Sequence, residues 1–445
     1  MTDSTSNPLT RRTFVRAAAL TSAALGAGVS LPTKLHAFTT QRRESSDVIR
    51  IGLVGCGGRG TGAARDALRG SERVELVALG DLFPDRLESC RANLAKLAGE
   101  NPAFGAKYKV TPERMFTGFD AVQKVLDSDI DLVILATPPG FRPMHLAAAV
   151  AAGKHIFTEK PVAVDAAGVR SVIATAALAK QKSLAVVAGT QRRHDPGYRE
   201  TIKRLHDGAI GEITSGQIFW NQGGLWHAAR KPEWSDTEWQ IRNWLYFTWL
   251  SGDHVVEQHI HNIDVANWVM GGHPVKAEGV GGRQQRTDAK YGHVYDHFGV
   301  DFEYANGHRV LSMCRQIDGT ANHIGESFTG DKGRTDPKGI ITSGKKTWTY
   351  PAATPAVNPY VQEHTDLVAS IRAGKPLNEL VQVAETTLTA IMAREAAYTG
   401  QVITWDALLA SPLSVTPSPI AFGAMPVPPV AMPGQTKLDR TWSAL

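Results

Sequence analysis

The chain has 445 residues, 42 % hydrophobic and 20 % charged, a balance that excludes a disordered polymer and suits two domains with separate cores. The formal net charge is +5, but Arg11, Arg12, Arg16 and Lys34 against Asp3 place a surplus of three in the first 37 residues, so the rest is close to neutral. No basic stripe with interleaved aromatics argues for nucleic acid as a partner, and Cys56, Cys90 and Cys314 are too few and scattered for a disulfide framework or a metal cage.

The N-terminal stretch "TRRTFVRAAALTSAALGAG" sets Arg11 and Arg12 ahead of a phenylalanine and an apolar run of small residues. That run is too short to span a bilayer, and Leu35-His36-Ala37 offers a small-residue cleavage site. Residues 1–37 are expected to be a twin-arginine signal, which makes the mature protein periplasmic and without a membrane span.

Residues 47–190 alternate strand and helix signals. Strands are expected in "VIRIGLV" and at 73–81, 131–139, 154–161 and 183–191, with helices at 84–98, 142–152 and 165–181. Such alternation requires a parallel sheet covered on both faces. Gly55, Gly57, Gly58, Arg59 and Gly60 satisfy G-x-G-x-x-G between the first strand and a helix start. There the first glycine makes the tight turn, the second admits a pyrophosphate, and the third lets helix and strand approach. Asp81 closes the second strand 26 residues after Gly55, where its carboxylate suits both ribose hydroxyls of NAD and repels the 2′-phosphate of NADP. Arg59 is the residue that keeps NADP in play, and Phe83 is placed to lie against the adenine. This half therefore reads as a Rossmann domain, a doubly wound parallel sheet.

Two strands of that sheet end in Thr137-Pro138-Pro139 and Thr158-Glu159-Lys160-Pro161, at the crevice where a nicotinamide would lie. An ammonium at Lys160 is suited to stabilising a substrate alkoxide, with Glu159 holding the lysine or a ribose.

Beyond Gln191 the pattern changes. Period-two segments at 212–222 and 297–316, the latter turning at Asn306-Gly307, are followed by strand signals near 324–329, 339–342 and 346–350. A helical run then covers 358–400 in two parts. Residues 191–410 are expected to form an α+β domain with an open, mainly antiparallel sheet, and 411–445 a proline-rich C-terminal arm. Within 251–272 the rhythm is that of one helix with Glu257, His261 and Asp264 on a single face. His261 is the candidate general base and Glu257 the group that orients it, while His259 falls on another side, so the cluster makes no obvious metal face.

The stretches "GLVGCGGRG", "ALGD", "ATPPGFRPMHLAAAVAAGKHIFTEKPVAV", "GTQRRHDPGY" and "SGDHVVEQHIHNID" together resemble the glucose–fructose oxidoreductase/inositol dehydrogenase (Gfo/Idh/MocA) family. The resemblance covers roughly residues 49–406 and implies that Lys160 is the motif lysine, His261 the motif histidine, and Glu257 a substrate-facing carboxylate where an aspartate is usual. It also implies homodimers or homotetramers formed through the second sheet. Residues 220–249 hold six of the ten tryptophans, a wall suited to a carbohydrate; Trp244, Arg193, His259 and Asp264 are the candidate substrate contacts.

The expected function is oxidation or reduction of a hydroxyl of a sugar, polyol or glycoside. Because free nicotinamide cofactor is scarce outside the cytoplasm, export implies an NAD that is tightly held and loaded beforehand. Two alternatives stand beside this one: an NAD-dependent glycosidase working by transient oxidation, elimination, hydration and reduction, and a nucleotide-dependent binding protein without catalysis.

Overall fold

Two sheets, one parallel and one largely antiparallel, organise residues 48–442, the part of the chain that the computed structural model describes. The expected signal, residues 1–37, lies outside the described residues. In the first sheet β1 (Ile49–Val54), β2 (Val74–Asp81), β3 (Met115–Thr117), β4 (Leu132–Leu135), β5 (His155–Thr158) and β6 (Val186–Ala188) run in the order 3-2-1-4-5-6. Every pairing is parallel. The apolar run of β1 is buried along nearly its whole length because helices cover both faces. Helix α1 (Gly58–Gly70) follows β1, and strand order reverses between β1 and β4, so a crevice opens at their carboxyl ends.

Nine strands form the second sheet: β7 (Ile213–Gln222), β8 (Lys276–Gly282), β9 (His297–Glu303), β10 (Arg309–Gln316), β11 (His323–Gly330), β12 (Gly333–Asp336), β13 (Ile340–Ser343), β14 (Lys346–Thr349) and β15 (Ile403–Thr404). Their order is 14-13-12-11-7-10-9-8-15, and the β7–β10 pair is parallel within an otherwise antiparallel array. Alternation along β9 and β10 turns Phe298, Val300, Phe302, Val310 and Cys314 inward.

Between β7 and β8 the chain forms α2 (His254–Glu257) and α3 (Ile260–Met270). Two later helices return towards the first sheet. α4 (Pro359–Arg372) packs on α1, and α5 (Leu380–Thr399) packs both on the helix Ala166–Gln181 and on β8. Residues of α5 from Thr386 to Thr399 are all buried, as expected for a helix lying between two layers. The proline-rich arm runs over the body of its own chain: Leu413 and Val415 are buried, and Arg440 pairs with Glu395 of α5 at 2.9 Å.

Candidate functional site

A cavity of about 610 Å³ occupies the crevice, walled by Gly55, Gly57–Gly60, Asp81–Phe83, Thr137 and Pro138, and from the other side by Trp226, Arg242 and Trp244. The glycine turn meets the requirements of a dinucleotide phosphate site. Gly55 has φ +97°, and a Cβ there would lie 2.6 Å from the Thr137 nitrogen. A Cβ on Gly60 would fall 1.8 Å from the Gly55 carbonyl oxygen, whereas Gly57 and Gly58 face open space at the amino end of α1. Unpaired N–H groups and the helix dipole point into that space, which fits a pyrophosphate.

Asp81 is held for its task by backbone. Its Oδ2 accepts from the Cys56 N–H at 2.6 Å and its Oδ1 from the Phe83 N–H at 2.9 Å, which leaves lone pairs on both oxygens for a ribose diol. Burial pushes its pKa up, and those two N–H groups offset part of that rise. Arg59 lines the cavity but its guanidinium is engaged by carboxylates: it donates to Glu159 at 2.5 Å and Glu363 at 3.1 Å, lies 3.7 Å from Asp66, and sits over the Tyr360 ring. Glu159 is thereby committed to Arg59 and is absent from the cavity wall, contrary to its expected place on lysine or ribose. The cause is the cost of an unpaired buried carboxylate, since Glu159 is 6 % exposed.

Thr137 and Pro138 are fixed by two groups without a role in the sequence-based expectation. Arg142, fully buried, donates to the carbonyls of Leu135 and Thr137, and burial pushes its pKa down to about 10. His145 Nδ1 lies 3.1 Å from the Thr137 hydroxyl; burial, then Arg142, hold this histidine neutral with a pKa near 3.

The chemistry-bearing residues lie next to this wall. The pairing of Leu135 with Thr158 carries Thr137 and Lys160 out side by side, each two residues past the paired pair. Lys160 Nζ donates to Glu257 Oε1 at 3.0 Å and to the Glu257 carbonyl at 2.5 Å. The His261 ring stacks near Trp220 with centroids 5.7 Å apart and makes no hydrogen bond to another described residue. Burial first, then Lys160, Arg192 and Arg59, hold its pKa well below that of a free histidine, so the imidazole is neutral. Lys160 and His261 thus lie within electrostatic reach of each other, and Arg192, over the Trp220 ring and bonded to Glu326, completes the surroundings.

The expected single helix over 251–272 is interrupted. Positive φ at Gly252 and Asp253 turns the chain into α2, and α3 begins only at Ile260. In the gap, His259 Nε2 bonds the Ser312 hydroxyl at 2.8 Å, and Gln258 accepts from Gln316, so both side chains are drawn onto β10. Glu257 consequently holds Lys160 rather than the imidazole, and His259, fully buried, faces the sheet instead of a ligand. Asp253 pins the turn: Oδ1 caps His254 N at 2.5 Å, while Oδ2 accepts from Tyr295 N and the Tyr398 hydroxyl.

Arg193 and Asp264 are brought together, but with each other. Asp264 accepts from Arg193 at 2.8 Å and from Gln382 and Thr386 at 2.9 Å, and it is 1 % exposed. A buried carboxylate so fully partnered binds α3 to α5 and has little left to offer a substrate. The tryptophan wall also divides: Trp220 adjoins His261, Trp226 and Trp244 line the cavity shared with Asp81, and Trp239 and Trp249 are core. Arg242, bonded to Asp85 at 3.0 Å, draws the segment before Trp244 to the nucleotide side. Among the described residues no group of His, Cys, Asp and Glu side chains could hold a metal, and no helix is long and apolar enough to cross a membrane.

Comparison with known proteins agrees with the geometry. The family model for oxidoreductases with an NAD-binding Rossmann fold, GFO_IDH_MocA, matches residues 49–188, and that for the GFO/IDH/MocA C-terminal domain matches residues 198–335. The chain is 29 % identical to inositol 2-dehydrogenase of Rhizobium meliloti over 227 residues, 51 % of this chain and 56 % of that protein. The match thus spans little more than half of that relative. Two solved structures are similar over 99 % of their own lengths: aldose-aldose oxidoreductase from Caulobacter crescentus (19 % identity, 80 % of this chain, TM-score 0.62) and apo scyllo-inositol dehydrogenase from Lactobacillus casei (18 %, 81 %, 0.61). At such identities the two structures speak for the fold alone.

Proposed function

The chain belongs to the Gfo/Idh/MocA family of oxidoreductases, and from that premise we propose that it oxidises and reduces a CH–OH carbon of a polyol or sugar, using a tightly held NAD. The observation that carries this reading is Lys160, anchored by Glu257 near a neutral, unbonded His261, two residues past the end of a strand paired with the one that leads into Thr137 of the glycine-lined crevice. A bound nicotinamide supplies the acceptor for the hydride that leaves the carbinol carbon.

The residues of the chain do the rest. The glycine turn and Asp81 hold the dinucleotide, and Thr137 and Pro138 set the floor beside its reactive end. Lys160 has three N–H donors and spends two on Glu257, so the third is available to the substrate oxygen, where its charge stabilises the developing alkoxide. His261, neutral because of burial and neighbouring cations, takes the hydroxyl proton. Trp220, with Arg192 above its ring, offers an apolar face and a cation to a hydroxylated ring.

Several observations support the finer points. Asp81 and the diversion of Arg59 onto Glu159, Glu363 and Asp66 favour NAD over NADP. The name of the Rhizobium relative supports a cyclic polyol as the first substrate to try. The pattern around Arg11-Arg12 supports export in the folded, cofactor-loaded state, which in turn calls for a cofactor that does not exchange. Substitution of Lys160 or His261 by alanine tests the chemistry. Each variant is expected to lose on the order of 100-fold or more in turnover while still copurifying with nucleotide. Turnover within a few-fold of the parent would remove both residues from the mechanism.

A further inference from the structure

The cavity has a wall that no Rossmann sheet supplies. The proline-rich arm is anchored at one end where the Val415 N–H donates to Asp165 at 2.8 Å, with Leu413 buried beside it. At the other end the Thr237 N–H donates to the Gly423 carbonyl at 3.2 Å, and the Gln240 amide donates to the Met425 carbonyl at 2.9 Å. Gln240 is fully buried, so this second anchor is built into the core. Between the anchors, Ile420 lines the same cavity as Asp81 and Phe83. The Phe422 ring lies 4.9 Å from Phe119 and 6.2 Å from Phe83, centroid to centroid.

Phe422 and Phe119 are 49 % and 38 % exposed, although an apolar cavity edge lies directly beside them. In a dinucleotide-binding sheet the acid at the end of the second strand marks the adenosine ribose, so the space beyond Asp81 belongs to the base. A planar purine is the ligand that aromatic faces and a branched aliphatic in this position suit. We propose that Ile420 and Phe422 form the outer wall of an adenine subsite, and that the arm retains the dinucleotide on its own chain. The proposal rests on the reading of the crevice as an NAD site and adds a segment that this reading does not require.

Phe422 is exposed and Ile420 only partly buried at the edge of the cluster around Phe83 and Trp249, so Phe422→Ala removes no core contact and serves as the variant whose fold is unchanged. The test is the rate at which bound NADH leaves the full-length protein, followed by loss of its fluorescence during displacement with excess NAD. Phe422→Ala and Ile420→Ala are expected to release it roughly tenfold faster than the parent. Val427→Ala, an exposed arm residue outside the cavity, is expected to match the parent. The two arm variants should also weaken binding of ADP-ribose but not of nicotinamide mononucleotide, which lacks the adenosine half. Release within twofold of the parent, or equal weakening of both half-ligands, would overturn the adenine wall. Fast release by the parent itself would instead overturn tight retention, since the ratio of variant to parent tests the wall separately.

Discussion

At His261 the balance of forces sets a pH dependence. Burial and the charges of Lys160, Arg192 and Arg59 all disfavour the imidazolium, so the folded pKa lies below the ordinary histidine value of about 6.5. For alcohol oxidation the active form is the neutral ring, and activity is lost only as pH falls through that lowered pKa. The acid limb of kcat/KM is therefore expected below the ordinary histidine range. Arg192→Gln removes one of the cations that lower the pKa, so the limb should move to higher pH, while Arg192→Lys should keep it in place. A limb that stays put in both variants would show that Arg192 does not act on His261 electrostatically. The positions of Lys160, Gly55, Gly60 and Asp81 at strand ends or a helix start, and of His261 in a helix, were legible in sequence because each follows a strand or helix signal at a fixed offset. The partners were not. Glu257 binding Lys160, Glu159 binding Arg59, and Asp264 binding Arg193 depend on which buried charge meets which, and spacing along the chain carries no such information.

At the scale of elements, the glycine turn separates shape from binding. Alanine at Gly60 would drive a methyl group against the Gly55 carbonyl, and is expected to destabilise the fold by about 1–3 kcal/mol or more. Alanine at Gly57 has open space and an ordinary φ of −71°, so melting of the nucleotide-free protein should be unchanged. The same methyl fills the phosphate cradle, and NADH affinity should fall by about tenfold or more. A Gly57→Ala variant with parental affinity would place the phosphates elsewhere. Elements with a strong period, β1, β2, β5, β7, β9 and both late helices, could be read from sequence. The missed strands lack that signal. β3 has three residues and β15 two, and β8 contains three glycines among its seven residues, which give no alternation to follow. The break between α2 and α3 carries no proline or glycine at 258–259; it is made by Ser312 and Gln316 reaching from a strand some fifty residues later.

At the scale of the molecule, the second sheet leaves three apolar side chains exposed on its outer face, beside the ion pairs of Arg309 with Asp301 and Glu303. The register aligns Val280 and Met313 with Gly299, and Val280, Leu311 and Met313 are 75 %, 39 % and 37 % exposed. We propose that two subunits pair through this face and cover these residues. Light scattering after size exclusion is expected to report a dimer or tetramer, and Val280→Asp with Met313→Asp a smaller species; a parental monomer at micromolar concentration would count against the pairing. The two-sheet architecture was legible as a change of period near residue 191. That α4 and α5 return to the first sheet, and that the arm closes over its own cavity, follow from long-range packing that no local pattern announces.

The central claim is that this chain carries its own NAD and passes hydride between it and a polyol or sugar carbon. Protein purified without added cofactor, mixed in a single turnover with a panel of inositols, aldoses and glycosides, should show a stoichiometric rise at the reduced-nicotinamide absorbance band with at least one member, and none in the His261→Ala variant. Bound nucleotide that stays oxidised across the whole panel, or a rise that persists undiminished without His261, would contradict it.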